Sequence, residues 1–160
     1  MTTDKFVFFY GGVFSQWYMY DMEIDGVTYN CAEQYMMAMK AKTFKDELSY
    51  AFIMDSSNPS DQKAAGRKVR NFDPNVWNLV AKDYVYKANF AKFSSDLKQY
   101  LLDTGDREIV EASPTDKIWG IGLAMNSPNL TDKSKWQGTN WLGECIMEVR
   151  RALGARSQAW

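Results

Sequence analysis

The chain has 160 residues, enough for one domain that buries about 70% of the surface its unfolded chain exposes. Its 19 basic and 20 acidic side chains leave a formal net charge of -1, so no global basic field points to non-specific nucleic-acid binding. Histidine is absent, which excludes Ser-His-Asp and Cys-His catalysis and any His-based zinc site.

In chain order, the run "FVFFY" over residues 6–10 reads as a short buried strand. Residues 22–29 read as a hairpin, "MEI" and "VTY" joined by the turn Asp25-Gly26. A helix then opens with Asn30 as its cap and Glu33 as the third residue of a capping box. A second helix covers residues 46–54. A third, in "SSNPSDQKAAGRKV", starts at the cap Asn58 and Pro59. Asp73 and Pro74 repeat that signal. Tyr86, Phe90, Phe93, Leu97 and Leu101 then fall at helical spacing, so one long helix is expected up to Thr104-Gly105-Asp106.

Residues 109–112 and 118–123 read as short strands separated by a turn at Ser113-Pro114. Residues 126–138 are polar and read as a surface loop. The last helix begins near Asn140 and carries Leu142, Ile146, Val149 and Leu153 on one face. Several helices, few strands and one hairpin predict an α+β class, a mostly helical single domain over 1–160 with a small antiparallel sheet. Cys31 and Cys145 show no CxxC spacing and read as buried reduced thiols of a cytoplasmic protein. No signal peptide and no run of about 18 apolar residues is found, so neither export nor membrane spanning is expected.

Without histidine, acid–base work falls to Asp, Glu, Lys, Tyr or water. Glu33 and Lys40 lie seven residues apart, two helical turns, in a helix that is apolar almost all round. A buried unpaired charge is costly, so each needs a partner, a wet cavity or an exit to solvent. Together they suggest a pocket wall. Glu111, in the apolar run "IVEA", and Asp116 flank a tight turn, and paired carboxylates are a common means of cleaving a glycosidic bond. Trp119 offers a flat face beside them, and Gly120 and Gly122 would let backbone N–H groups approach a phosphate. Asn140 sits at a helix start, where free N–H groups attract anions. Tyr10, Ser15 and Trp17 form an aromatic-polar cluster, and Arg67 ends the third helix as a possible phosphate ligand.

The ordered motifs "FYGGVFSQW", "DGVTYNCAEQYMMAMKA", "AAGRKV", "LLDTGDREIVEASPTDKIWGIG" and "WQGTNWLGECIMEVRRAL" resemble the NADAR (NAD and ADP-ribose) superfamily, which includes the YbiA-like proteins. The resemblance runs over residues 6–153. It implies a YbiA-like α+β domain and hydrolysis of an N-glycosidic bond in a phosphorylated N-riboside. ADP-ribose attached to guanine, including in nucleic acid, is one such substrate. A ribosylamino-pyrimidine intermediate of riboflavin biosynthesis is another. No cofactor and no metal are expected. By motif the resemblance assigns Glu33, Lys40, Glu111 and Asp116 to catalysis. It assigns Trp17, Arg67, Trp119 and Asn140 to substrate binding, to which the reading of the residues themselves adds Tyr10 and Gly120. Where the family usually has Asn after the "FS" pair, this chain has Gln16. A non-catalytic ADP-ribose- or NAD-binding module shares the same pocket and stands as the alternative.

Overall fold

The computed structural model describes residues 1–158. They fall into two compact units: Gln16–Lys92, here the central unit, and Met1–Ser15 with the chain from Phe93 onward, here the terminal unit.

The central unit opens with the hairpin β2 (Met22–Ile24) and β3 (Val27–Tyr29), with β1 (Phe6–Phe9) preceding it in the terminal unit. Its strands pair antiparallel, Met22 opposite Tyr29. Asp25 and Gly26 both take positive φ, 53° and 81°, the requirement of the tight hairpin turn that "DG" signals. Helices α1 (Ala32–Thr43), α2 (Glu47–Asp55) and α3 (Pro59–Arg67) pack against one another, and α4 (Pro74–Phe93) follows. As its composition demands, α1 is buried nearly all round, from Ala32 to Met39 and again at Ala41. The approach of α3 to α1 is set at Gly66. A Cβ there would overlap the sulfur of Met37 and come within 3.0 Å of its Cγ.

The cap of α1 lies one residue later than expected. Cys31 is the N-cap, its sulfur accepting from the Gln34 N–H at 3.4 Å. Gln34, in turn, reaches back past the cap: its Oε1 accepts from the Asn30 N–H at 2.7 Å. Asn30 instead turns its amide to the Ser56 carbonyl. The amide of Gln34, longer by a methylene than that of Asn, reaches both Asn30 and the end of α2, and that selects the register.

In the terminal unit, β1 pairs with β4 (Glu108–Glu111) in parallel, Phe6 opposite Glu108 and Phe9 opposite Glu111. The expected small sheet is therefore two separate pairs, of which the hairpin is antiparallel and this one parallel. Phe6, Phe8, Val110, Ala112, Ile121 and Leu130 form the core around it. Helix α6 (Trp141–Gln158) covers β4 and presents Leu142, Ile146, Val149 and Leu153 inward. At Gly143 the helix touches the strand so closely that a Cβ would overlap the Ile109 carbonyl.

Two further expectations need correction. The long helix breaks after Phe93, and α5 (Lys98–Leu102) is separate. Ser95 Oγ accepts from the Leu97 N–H, the kind of local bond by which serines compete with a helix. Residues 118–123 are not a strand. Asp116 folds them into a turn by accepting two of their N–H groups, and Gly122 takes φ 70°.

Candidate functional site

The candidate residues divide between the two units. Glu33, Lys40, Trp17 and Arg67 belong to the central unit. Glu33 stands in the first turn of α1 and is 6% exposed. With the cap moved to Cys31, it is not the third residue of a capping box. Its own N–H donates to the Gln16 carbonyl at 2.9 Å, which ties the segment before the hairpin to the start of the helix. Lys40 lies two turns on and is half-buried, its Nζ 4.4 Å from the centre of the Phe72 ring. Burial pushes the Lys40 ammonium below the usual lysine range. Glu33 opposes that fall, and Arg67 adds to it. These couplings join Lys40, Glu33 and Arg67 in one electrostatic neighbourhood, as the helical spacing predicts for the first two.

Arg67 ends α3 with its side chain in solvent, and Gly66 beside it is the close contact with α1. Trp17 is 43% exposed, with Lys63 Nζ 5.9 Å from its ring centre. Lys63 and Arg67 are one turn apart on α3, so the last two turns of that helix present cations beside Lys40 and Trp17. Lys63 is absent from the motif reading because it sits in no distinctive spacing.

The terminal unit holds Tyr10, Glu111, Asp116, Trp119, Gly120 and Asn140. Glu111 ends β4, where its N–H donates to Asn140 Oδ1 at 3.0 Å and its carbonyl accepts from Ile121. Asp116 Oδ1 accepts from Ile118 and Trp119 N–H at 3.0 and 2.8 Å, which fixes the carboxylate at the head of the tryptophan loop. Trp119 meets Trp141 edge to face at 5.6 Å. Gly120 is crowded by its own chain. A Cβ would lie 3.0 Å from the carbonyls of Asp116 and Glu111. Glycine here lets the loop fold onto the end of β4.

Asn140, at φ 53°, uses both ends of its amide on β4, accepting from Glu111 N–H and donating to the Ile109 carbonyl. The N–H groups of Trp141 and Leu142 donate to the carbonyls of Ile118 and Trp119. The start of α6 is thus already engaged by the tryptophan loop, unlike the open helix start inferred from the sequence. Tyr10 follows β1 and is 63% exposed.

Cys31 and Cys145 are free and buried. The Cys31 thiol donates to Gln62 Oε1 at 3.2 Å, and burial raises its pKa to about 11, so it is an unreactive cap. Among the described residues no three Asp, Glu or Cys side chains gather as a metal site would require, and no helix is long and apolar enough to cross a membrane.

The NADAR domain model matches residues 8–154 and so runs through both units. The chain belongs to the NADAR family. Among NADAR relatives, N-glycosidase R617 of Acanthamoeba polyphaga mimivirus is 43% identical over 165 residues, 94% of this chain and 97% of its own length. N-glycosidase YbiA of Escherichia coli is 30% identical over 144 residues, 89% of this chain and 81% of its own. The NMR structure of the E. coli protein YbiA superposes with a TM-score of 0.80 at 28% identity, covering 99% of this chain and 90% of that one. The NADAR fold and the α+β class expected from the sequence are therefore those of this chain.

Proposed function

We propose that this NADAR chain is an N-glycosidase, the activity its relatives are named for, and that it hydrolyses a phosphorylated N-riboside. ADP-ribose attached to guanine and a ribosylamino-pyrimidine are the two substrate types in view. It works in the cytoplasm as a single domain of residues 1–160. The observation that carries the reading is the pair on α1: a buried Glu33 and a half-buried Lys40 in one electrostatic neighbourhood, in a chain without histidine.

Cleavage builds positive charge on the anomeric carbon as the C–N bond to the base breaks. An ionised carboxylate stabilises that charge, water supplies the new C–O bond, and the departing base takes up a proton. Glu33 and Asp116 are assigned these carboxylate roles, with Glu111 orienting and Trp119 and Trp17 giving flat faces to rings. Arg67 and Lys63 answer the substrate's phosphate charge.

Lys40 supports a covalent variant. Desolvation on α1 enriches its neutral amine, which can attack C1 of the ring-opened ribose and form a Schiff base, expelling the base. Water then hydrolyses the imine and returns the lysine. Borohydride added during turnover tests this: a reduced ribosyl adduct on Lys40 supports the route, and unmodified Lys40 ends it. For the reading as a whole, Glu33→Gln and Asp116→Asn are each expected to cut kcat by roughly 100-fold or more while circular dichroism stays unchanged. Full activity in both variants, assayed as free base released from a panel of N-ribosides, would overturn it.

A further inference from the structure

Lys92 has no accessible surface. It lies in the last turn of α4, on a stripe where Trp77, Ala81, Val85, Ala88 and Asn89 are also buried. Taking an ammonium out of water costs several kcal/mol even after relaxation, roughly. An apolar residue at this place in the stripe would pack at no such cost, so the charge needs a reason.

Its surroundings in the central unit supply one. Nζ sits 5.3 Å from the ring centre of Tyr18. The Cys31 thiol couples electrostatically to Lys92 and also to Glu33, so both charges act on one buried group. A second line of contacts ties the same places together. Asn89 donates to Gln16 Oε1 at 2.8 Å, and the Gln16 carbonyl accepts from Glu33's own N–H at 2.9 Å. The buried face of α4 thus reaches the first turn of α1 both through charge and through a hydrogen-bonded chain.

We propose that Lys92 is a positioning residue for Glu33: its buried amine supplies the balancing positive charge from the protein interior, which releases Lys40 to act on substrate. The assignment rests on the reading of Glu33 as a catalytic carboxylate. It separates the two amines of the unit by task. Lys40, half-buried beside Phe72 and Arg67, faces the chemistry, and Lys92, wholly enclosed, does not touch it.

Burial brings the Lys92 amine down to about 7, with Cys31 opposing the fall. The titratable groups against it are Tyr18, through its ring, and the Cys31 thiol, which couples in turn to the Glu33 carboxyl. The thiol, at about 11, stays neutral through the physiological range. On this assignment Glu33 and Lys92 sense each other's charge, and each should report the other's proton.

The test is a carbon-13 NMR titration of the Glu carboxyls and Lys side-chain carbons, with kcat/KM measured over the same pH range. In Lys92→Met the Glu33 carboxyl should titrate about one pH unit or more higher, and the acid limb of kcat/KM should move up with it. A folded Lys92→Met protein in which Glu33 titrates unchanged overturns the proposal, whatever its activity. Should that variant not fold, the wild-type protein carries the test. Its Glu33 resonance should show a second inflection near the pH at which Lys92 titrates, and a single inflection overturns the proposal. The NMR readout needs no substrate. A protein that couples Glu33 to Lys92 yet cleaves no riboside keeps the charge pairing but refutes the proposed activity, and with it the positioning role. An active protein without coupling does the reverse.

Discussion

Asp46 shows how much a single carboxylate organises in this chain. Its Oδ1 accepts from the Ser49 N–H and the Arg70 guanidinium at 3.1 and 3.4 Å. Its Oδ2 accepts from the Ser49 hydroxyl and the Arg70 N–H at 2.7 and 2.9 Å. It therefore caps α2 and clamps the segment after α3 at once. Donation from the Arg70 and Ser49 groups holds the carboxyl far below the usual carboxylate range. A depressed carboxyl contributes stability that is present above about pH 4, the unfolded value, and is lost as pH falls towards the folded one. Asp46→Asn is expected to lower Tm at pH 7, and the gap from wild type should narrow as pH drops below 4. Melting curves across that range measure it, and a gap that stays constant would show that the charge is not what matters. Such side chains also mark where sequence reading ends. Asp46 is an ordinary acid before a helix until Arg70 closes on it from 24 residues away. Lys92 was legible in principle, as a lysine on the spacing of Trp77, Ala81, Val85 and Ala88, because burial of that stripe follows from period alone. What spacing cannot give is its neighbour Cys31, brought in by tertiary packing.

At the scale of elements, the legible parts are those whose signals are local. Asn58-Pro59 and Asp25-Gly26 fix backbone angles through their own chemistry, and both elements stand where they were expected. The cap of α1 moved because Cys31 rarely caps a helix and Gln34 reached back to Asn30. The break between α4 and α5 was hidden because Phe93, Leu97 and Leu101 keep a four-residue spacing straight through the turn. Contacts between helices are further from view. Gly66 reads as one small residue in "AAGRKV", yet it admits the Met37 side chain and so places Arg67 beside α1. Gly66→Ala forces that contact apart, at an expected cost of about 1–3 kcal/mol. At this chain length that is a fall in Tm of roughly 2–4 °C per kcal/mol. Shortening the obstacle should relieve it: adding Met37→Ala to Gly66→Ala is expected to cost less than the two single changes summed. Strict additivity of the three Tm shifts would mean that α3 and α1 do not meet at this point.

For the molecule as a whole, the NADAR match spans residues 8–154 and so draws on the sequence of both units. Motif order made the family legible early, because long motifs in sequence order are a whole-chain property. The substrate's size is a whole-chain question too, and net charge bears on it. A formal charge of -1 creates no long-range attraction for a polyanion, so at the proposed site a nucleic-acid substrate would depend on the few local cations near Trp17 and Lys40. Lys63 and Arg67 with Lys40 allow two or three phosphate contacts. For a single strand, that number gives a log–log salt slope of about -1.4 to -2.1, or a loss of about 7- to 20-fold between 50 and 200 mM salt. The same modified base on a free nucleotide lacks the condensed counterions of a strand and should show a shallower dependence. We therefore expect kcat/KM for a modified single strand to fall by no more than about 20-fold over that range, with the free nucleotide changing less. Steady-state kinetics on the two substrates at four salt concentrations decide it. A slope steeper than about -4 for the strand would require about six phosphate contacts. That result would reveal a basic groove which the net charge conceals, and would make nucleic acid rather than a small metabolite the substrate this chain is built to hold.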